Sequence, residues 1–88
     1  MADKNIMTII YKKSNLDIKE IGQGKQYLYD GMHGLTLDEA NLIYDIIYID
    51  YDAYVFKRIQ DFELVKNDDG NITIQMKQSA KDSIQKYL

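Results

Sequence analysis

The 88-residue chain has no cysteine, no proline and no tryptophan, and it carries one histidine and one arginine. Without cysteine there is no disulfide, no thiol nucleophile and no Cys-ligated zinc. No apolar run approaches the ~20 residues of a membrane span. The opening stretch MADKNIMTIIYKK places Asp3 and Lys4 before about six apolar residues, too short and interrupted for a signal-peptide core, so the expected location is the cytoplasm. Basic residues are also missing locally. Residues 38–56 hold five acids and no base, whereas 1–37 hold five bases and four acids, and 57–88 hold six bases and five acids. These segments sum to −5, +1 and +1, which gives the net charge of −3 and places all the excess on one stretch. Nucleic-acid binding needs a basic patch to neutralise phosphates, and none stands out, so direct binding to DNA or RNA is disfavoured.

What is present is a globular composition. Apolar residues make up 45% of the chain, thirteen Ile and eight Tyr among them, which is far from the signature of disorder. A chain of this length buries little more than ~60% of its unfolded surface, so a single domain with a small core is expected. There is no internal repeat and no low-complexity segment. Abundant Ile, Tyr, Lys, Asn and Asp beside a single Arg suits an AT-rich coding sequence, as in low-GC bacteria and their phages.

Along the chain, the β-branched and aromatic run Ile6 to Tyr11 predicts a strand. In SNLDIKEIGQGK, Ser14 or Asn15 is placed to cap one helical turn carrying Leu16, Ile18 and Ile21 before Gly22 and Gly24 stop it. A short extended segment is expected at Gln26 to Tyr29, then a loop at Gly31 and Gly34. LTLDEANL is the best local signal: Thr36 and Glu39 form a capping box, and Asp38 and Glu39 complement the positive end of a helix starting at Leu37. No Gly or Pro follows between Leu35 and Asp69, so the helix is expected to continue to about Gln60. Within it, Asp38, Asn41, Asp45 and Asp52 form one stripe, Ala40, Ile43, Ile47, Tyr51 and Tyr54 the opposite face, and Leu42, Ile46, Ile49, Ala53 and Phe56 a flank. The competing reading makes 46–56 a strand, because Ile, Tyr, Val and Phe favour strands and Ile49, Tyr51, Ala53 and Val55 alternate. Beyond it, FELVKNDDGNITIQMK predicts a hairpin with runs Phe62 to Lys66 and Asn71 to Lys77 around an Asp-Gly turn. Ser79 is placed to cap a terminal helix in which Ile84 and Leu88 or Tyr87 share a face. The expected fold is α+β: a small three-stranded, mainly antiparallel sheet made of the N-terminal strand and the C-terminal hairpin, packed on one long central helix, with a short C-terminal helix.

No residue set reads as a catalytic or metal site, and no cofactor is expected. His33 lies in GMHG with Asp30 the only acid close in sequence, which is the setting of an exposed loop histidine. NDDGN resembles a calcium loop in composition only; with Gly70 at the sixth position, Val65 and Met76 stand where carboxylates are required. GQGK lacks both the spacing and the Ser or Thr of a P-loop, and Tyr27 replaces the third glycine of a dinucleotide fingerprint. On a helix Asp50 and Asp52 diverge, and Asp45 and Asp52 sit two turns, ~10.5 Å, apart, too far to share a metal.

The proposed long helix carries more apolar surface than a three-stranded sheet covers from one side. Other segments of the chain, a second copy or a partner must cover the rest. Tyr supplies rigid contact area with a polar tip, and Asp adds steering towards a basic surface. Asp38, Asp45 and Asp52, with Tyr44 and Tyr48 flanking them, are therefore the candidate partner-binding residues. The expected function is a small non-enzymatic protein-binding module, an inhibitor of phage or mobile-element type that occupies the basic surface of a nucleic-acid-binding protein. In size and composition the chain is similar to small acidic phage proteins that block host nucleases or polymerases, anti-CRISPR proteins among them, although no motif identifies a member. The alternative is a structural or regulatory homo-oligomer with the long helix at the self-interface.

Overall fold

The structure, a computed structural model, describes residues 5–87. Its centre is β1 (Ile6–Lys12), in which Met7 to Tyr11 are all buried. A strand covered on both faces has no reason to alternate, which is why IMTIIY reads as a continuous apolar run. β1 pairs antiparallel with β2 (Ile18–Gln23) on one side and with β3 (Tyr44–Asp50) on the other. The order β2-β1-β3 makes β3 an edge strand.

The turn from β1 to β2 closes with the Lys12 N–H donating to Asp17 O at 2.9 Å, while Asn15 Oδ1 accepts from the Asp17 N–H at 3.0 Å. Leu16 enters the left-handed region there, with φ of 65°. After β2 the chain crosses the sheet without regular structure, makes a 3₁₀ turn at Met32–Gly34 and enters α1 (Leu37–Ile43). The capping box is present as expected: the Thr36 hydroxyl accepts from the Glu39 N–H at 3.2 Å and Glu39 Oε1 accepts from the Thr36 N–H at 2.9 Å. After β3 come α2 (Ala53–Lys57), a 3₁₀ turn at Ile59–Asp61, the hairpin β4 (Phe62–Lys66) and β5 (Ile72–Met76), and α3 (Gln78–Gln85). The hairpin register, Phe62 opposite Met76 through Lys66 opposite Ile72, follows the expected runs, with Gly70 at φ 88° closing the turn.

Two small clusters lie on opposite faces of the sheet. Met7, Ile9 and Tyr11 point to the hairpin side and meet Leu64, with Ile47, Ile49, Val55, Phe56, Ile72 and Ile74 packed around them. Ile10 points to the other side and meets Met32 and Ala40, with Leu28, Tyr44 and Ile46 around them. Full burial of a side chain such as Ile9 contributes about 1.5–3 kcal/mol. Thr8, buried among them, is satisfied: its hydroxyl donates to Gly24 O at 2.7 Å and accepts from the Gln26 N–H at 2.9 Å.

The structure corrects the expected architecture. There is no helix from 37 to 60: α1 ends at Ile43, Tyr44 already has strand dihedrals of −114° and 154°, and β3 follows without a linker. The reason is the dense β-branched and aromatic run Ile43 to Tyr51, which gains a seven-residue ladder against β1 that a helix could not supply. The three-stranded sheet is β2-β1-β3, and the hairpin forms a separate two-stranded sheet instead of joining β1. Residues 18–23 are a strand, not part of a helical turn. Gln26 to Tyr29 do not form a strand. Ser79 caps nothing: α3 starts at Gln78 with Lys77 as a cap residue that makes no side-chain bond. Ile84 and Tyr87 are exposed, Ala80 is the residue of α3 that is buried, and Leu88 lies outside the described residues.

Candidate functional site

The expected acidic stripe depended on one continuous helix, and its members are distributed over three elements. Asp38 is exposed in the first turn of α1. Tyr44, Asp45 and Tyr48 lie on β3, where residues of odd and even number face opposite sides of the sheet. Tyr44 is half-buried beside Ile10 and Met32, and its ring centroid is 5.6 Å from that of His33. Tyr48 is on the same face, with its hydroxyl donating to Gln26 O at 2.8 Å and Lys25 Nζ 5.2 Å above its ring. Asp45 is on the other face, where Tyr11 donates to its Oδ2 at 3.4 Å. Asp52 is the cap of α2, its Oδ1 accepting from the Tyr54 and Val55 N–H groups at 2.9 and 3.3 Å. The structure thus puts Tyr44 and Tyr48 on one face of β3 with Ile46 between them, about 13 Å apart along the strand, sets Asp45 on the other face, and gives Asp52 a local structural task.

What unites this region is the outer edge of β3. At the two ends of the β1-β3 ladder the Tyr51 N–H donates to Asn5 O at 2.7 Å and the Lys13 N–H donates to Ile43 O at 2.9 Å. Bonded and non-bonded pairs alternate in an antiparallel ladder, so the odd-numbered residues of β3 bond β1. Tyr44, Ile46, Tyr48 and Asp50 turn their N–H and C=O groups outward. Tyr44 donates to Ala40 O as the end of α1, and Ile46 donates to Asp45 Oδ1 at 2.8 Å. Among the described residues, nothing accepts from the N–H groups of Tyr48 and Asp50.

The other edge of this sheet differs. β2 slips register between Ile10 and Tyr11, passing over Lys19, and it contains Gly22. A bulge, a lysine and a glycine all discourage edge pairing, and β3 has none of them over seven residues in unbroken register with β1. Around β3 the exposed acids are Asp38, Glu39, Asp45, Asp50 and Asp52. The nearby lysines are Lys12, paired across from Tyr44, Lys13, whose Nζ donates to Asn41 O at 2.7 Å, and Lys25 over Tyr48.

His33 is exposed, at φ 50°, and its Nε2 stands 3.5 Å from Glu20 Oε2, an ion pair when the ring is protonated. Otherwise that buried oxygen has no hydrogen-bond donor. One cleft, about 480 Å³, lies between Leu16 to Lys19 and Phe62 to Leu64, with Asp17, Lys19, Glu63 and Lys77 among its lining residues. Its balanced charges favour no ligand class. Among the described residues no three His, Cys, Asp or Glu side chains come together as a metal site, and no helix is long and apolar enough to cross a membrane.

Sequence reasoning missed Asp50, Lys25 and Gln26 as members of this surface. The signal for Asp50 was available in the strand reading of 46–56, which places it beside Tyr48 on the same face; that of Gln26 was not, because only the fold brings it to Tyr48. The chain matches no protein-family model, no curated protein and no solved structure.

Proposed function

We propose that this chain is a small non-enzymatic protein-binding module whose recognition surface is the acidic, tyrosine-bearing outer edge of β3, and that its partner presents a basic surface. The observation that carries this reading is the combination of an edge strand without bulge, lysine or glycine, whose charges are the acids Asp45 and Asp50, with a surrounding segment free of bases. Exposed carboxylates steer a cationic partner, and Tyr44 and Tyr48 supply contact area at small entropic cost. Protein surfaces of that charge most often hold nucleic acid, so occupying one would make the module an inhibitor of a nucleic-acid-binding protein.

The test is charge reversal. Asp45→Lys with Asp50→Lys is expected to weaken binding to purified basic proteins at least tenfold, roughly what two opposed charges supply across an interface. Asp68→Lys with Asp82→Lys, exposed acids of the hairpin turn and of α3 that accept from no backbone N–H among the described residues, should leave it unchanged. Equal loss in both pairs would reduce the effect to net charge and remove β3 from the reading. Asp52 is left out of the reversal because it caps α2.

The second reading is a homo-oligomer, and the open edge supports it, since two copies of β3 can pair across a two-fold axis. Light scattering across a hundredfold range of concentration separates the two. A stable dimer would assign the edge to self-association.

A further inference from the structure

We propose that the occupant of the β3 edge is an extended cationic segment of the partner, added as a fourth strand to the sheet β2-β1-β3. This deepens the protein-binding role proposed above and rests on it. The outward groups of Ile46, Tyr48 and Asp50 are a ready ladder, and the Tyr48 and Asp50 N–H groups are already unbonded among the described residues. The Ile46 N–H is held by Asp45 Oδ1 at 2.8 Å. Asp45 is therefore a latch: an incoming carbonyl takes the Ile46 N–H, and the freed Oδ1 takes a cation on the incoming strand while Oδ2 stays with the Tyr11 hydroxyl.

The side chains also fix which strand fits. In a strand pair, directly opposed residues interact, and opposite charges there are favourable. Asp45 and Asp50 are five positions apart (50 − 45 = 5), an odd number, so they project from opposite faces of the sheet. The segment recognised thus carries two lysines or arginines five positions apart, one on each face, with β-branched or aromatic residues between them to meet Tyr48 on one side and Ile47 and Ile49 on the other. A second copy of this chain offers the reverse, because two β3 strands bring four aspartates to one edge. Charge complementarity therefore selects the cationic segment.

The probe is a capped eight-residue peptide of valine and threonine with lysines at its second and seventh positions, titrated into the full chain and followed by the backbone amide signals. Three variants accompany it: the same peptide with N-methyl groups on the amides that would face β3, a peptide with the lysines at positions two and four, and the chain with Asp50→Lys. Strand addition predicts that the Tyr48 and Asp50 amides become protected from exchange, with affinity falling at least about tenfold for the N-methylated peptide and for Asp50→Lys, and less for the respaced one. Equal binding of the N-methylated peptide would overturn strand addition while leaving a charge-based protein-binding surface in place. If no peptide binds but the charge-reversed pair still loses the basic proteins, the extended segment is refuted and the module reading survives; if that pair loses nothing, both fall. A dimer in which the Tyr48 and Asp50 amides are already protected would assign the edge to a second copy and overturn the proposal.

Discussion

At the scale of the residue, Asp45 shows how far one side chain's role depends on its element. On a helix it would be a solvated carboxylate in a stripe; on β3 it accepts from Tyr11 on the neighbouring strand and from the next backbone N–H of its own. Burial, then the charge and hydrogen bond of Asp45, push the Tyr11 hydroxyl above its ordinary range near ~10. The folded state therefore keeps its proton when the unfolded chain has lost it. That contribution is fully present below the unfolded value and is lost as pH rises through the folded one. Denaturant midpoints are expected to fall more steeply above about pH 10 in the natural chain than in Tyr11→Phe, which has no proton to lose there. Parallel curves would show that Tyr11 titrates alike in both states. Leu16 is a second residue whose place no pattern announces. It occupies a left-handed position that Gly or Asn usually takes, yet its side chain packs on the hairpin-side cluster, so burial offsets a local backbone cost.

At the scale of the element, the ends of segments were more legible than their interiors. The Thr36 and Glu39 box and the Asp-Gly hairpin are encoded in a few contiguous residues, and both formed as read. The run from Leu42 to Phe56 is different, because helical and strand periodicities both find apolar residues in it, and pairing with β1 decides between them. No Gly or Pro marks the change: the chain leaves α1 at Tyr44 through β propensity, two residues before the competing strand reading of 46–56 begins, and restarts as α2 through the side chain of Asp52. Asp52→Ala is accordingly expected to cost ~1 kcal/mol of stability by urea unfolding, as loss of a helix cap does. Asp50→Ala, an exposed change two residues earlier that removes no side-chain hydrogen bond among the described residues, should cost less than ~0.5 kcal/mol. Equal costs would mean that the α2 cap carries no weight. Of the candidate site, the acidic segment and the two tyrosines were visible in the sequence. Their arrangement was not, since it follows from which strand lies next to which.

At the scale of the whole molecule, the sheet divides the core. The radius of gyration is 14.4 Å, larger than the ~12 Å of a compact chain of this length, and the longest dimension is 47 Å. Two thin clusters on opposite faces of one sheet produce such a shape. Ile9→Val on the hairpin side and Ile46→Val on the α1 side are each expected to cost about 0.5–1.5 kcal/mol, and the double variant to equal their sum within ~0.5 kcal/mol. A larger discrepancy would mean that the clusters communicate through the sheet. The central position of β1 has one more consequence, which concerns synthesis instead of the finished fold. β1 is made before the strand that will cover its second edge, with residues 13–43 still to be added between them. During that interval β2 is the partner within reach, and an uncharged run of β-branched and aromatic residues is the kind of segment on which nascent chains aggregate. Lys12 and Lys13 end the run directly, acting as gatekeepers that repel other nascent chains until β3 arrives.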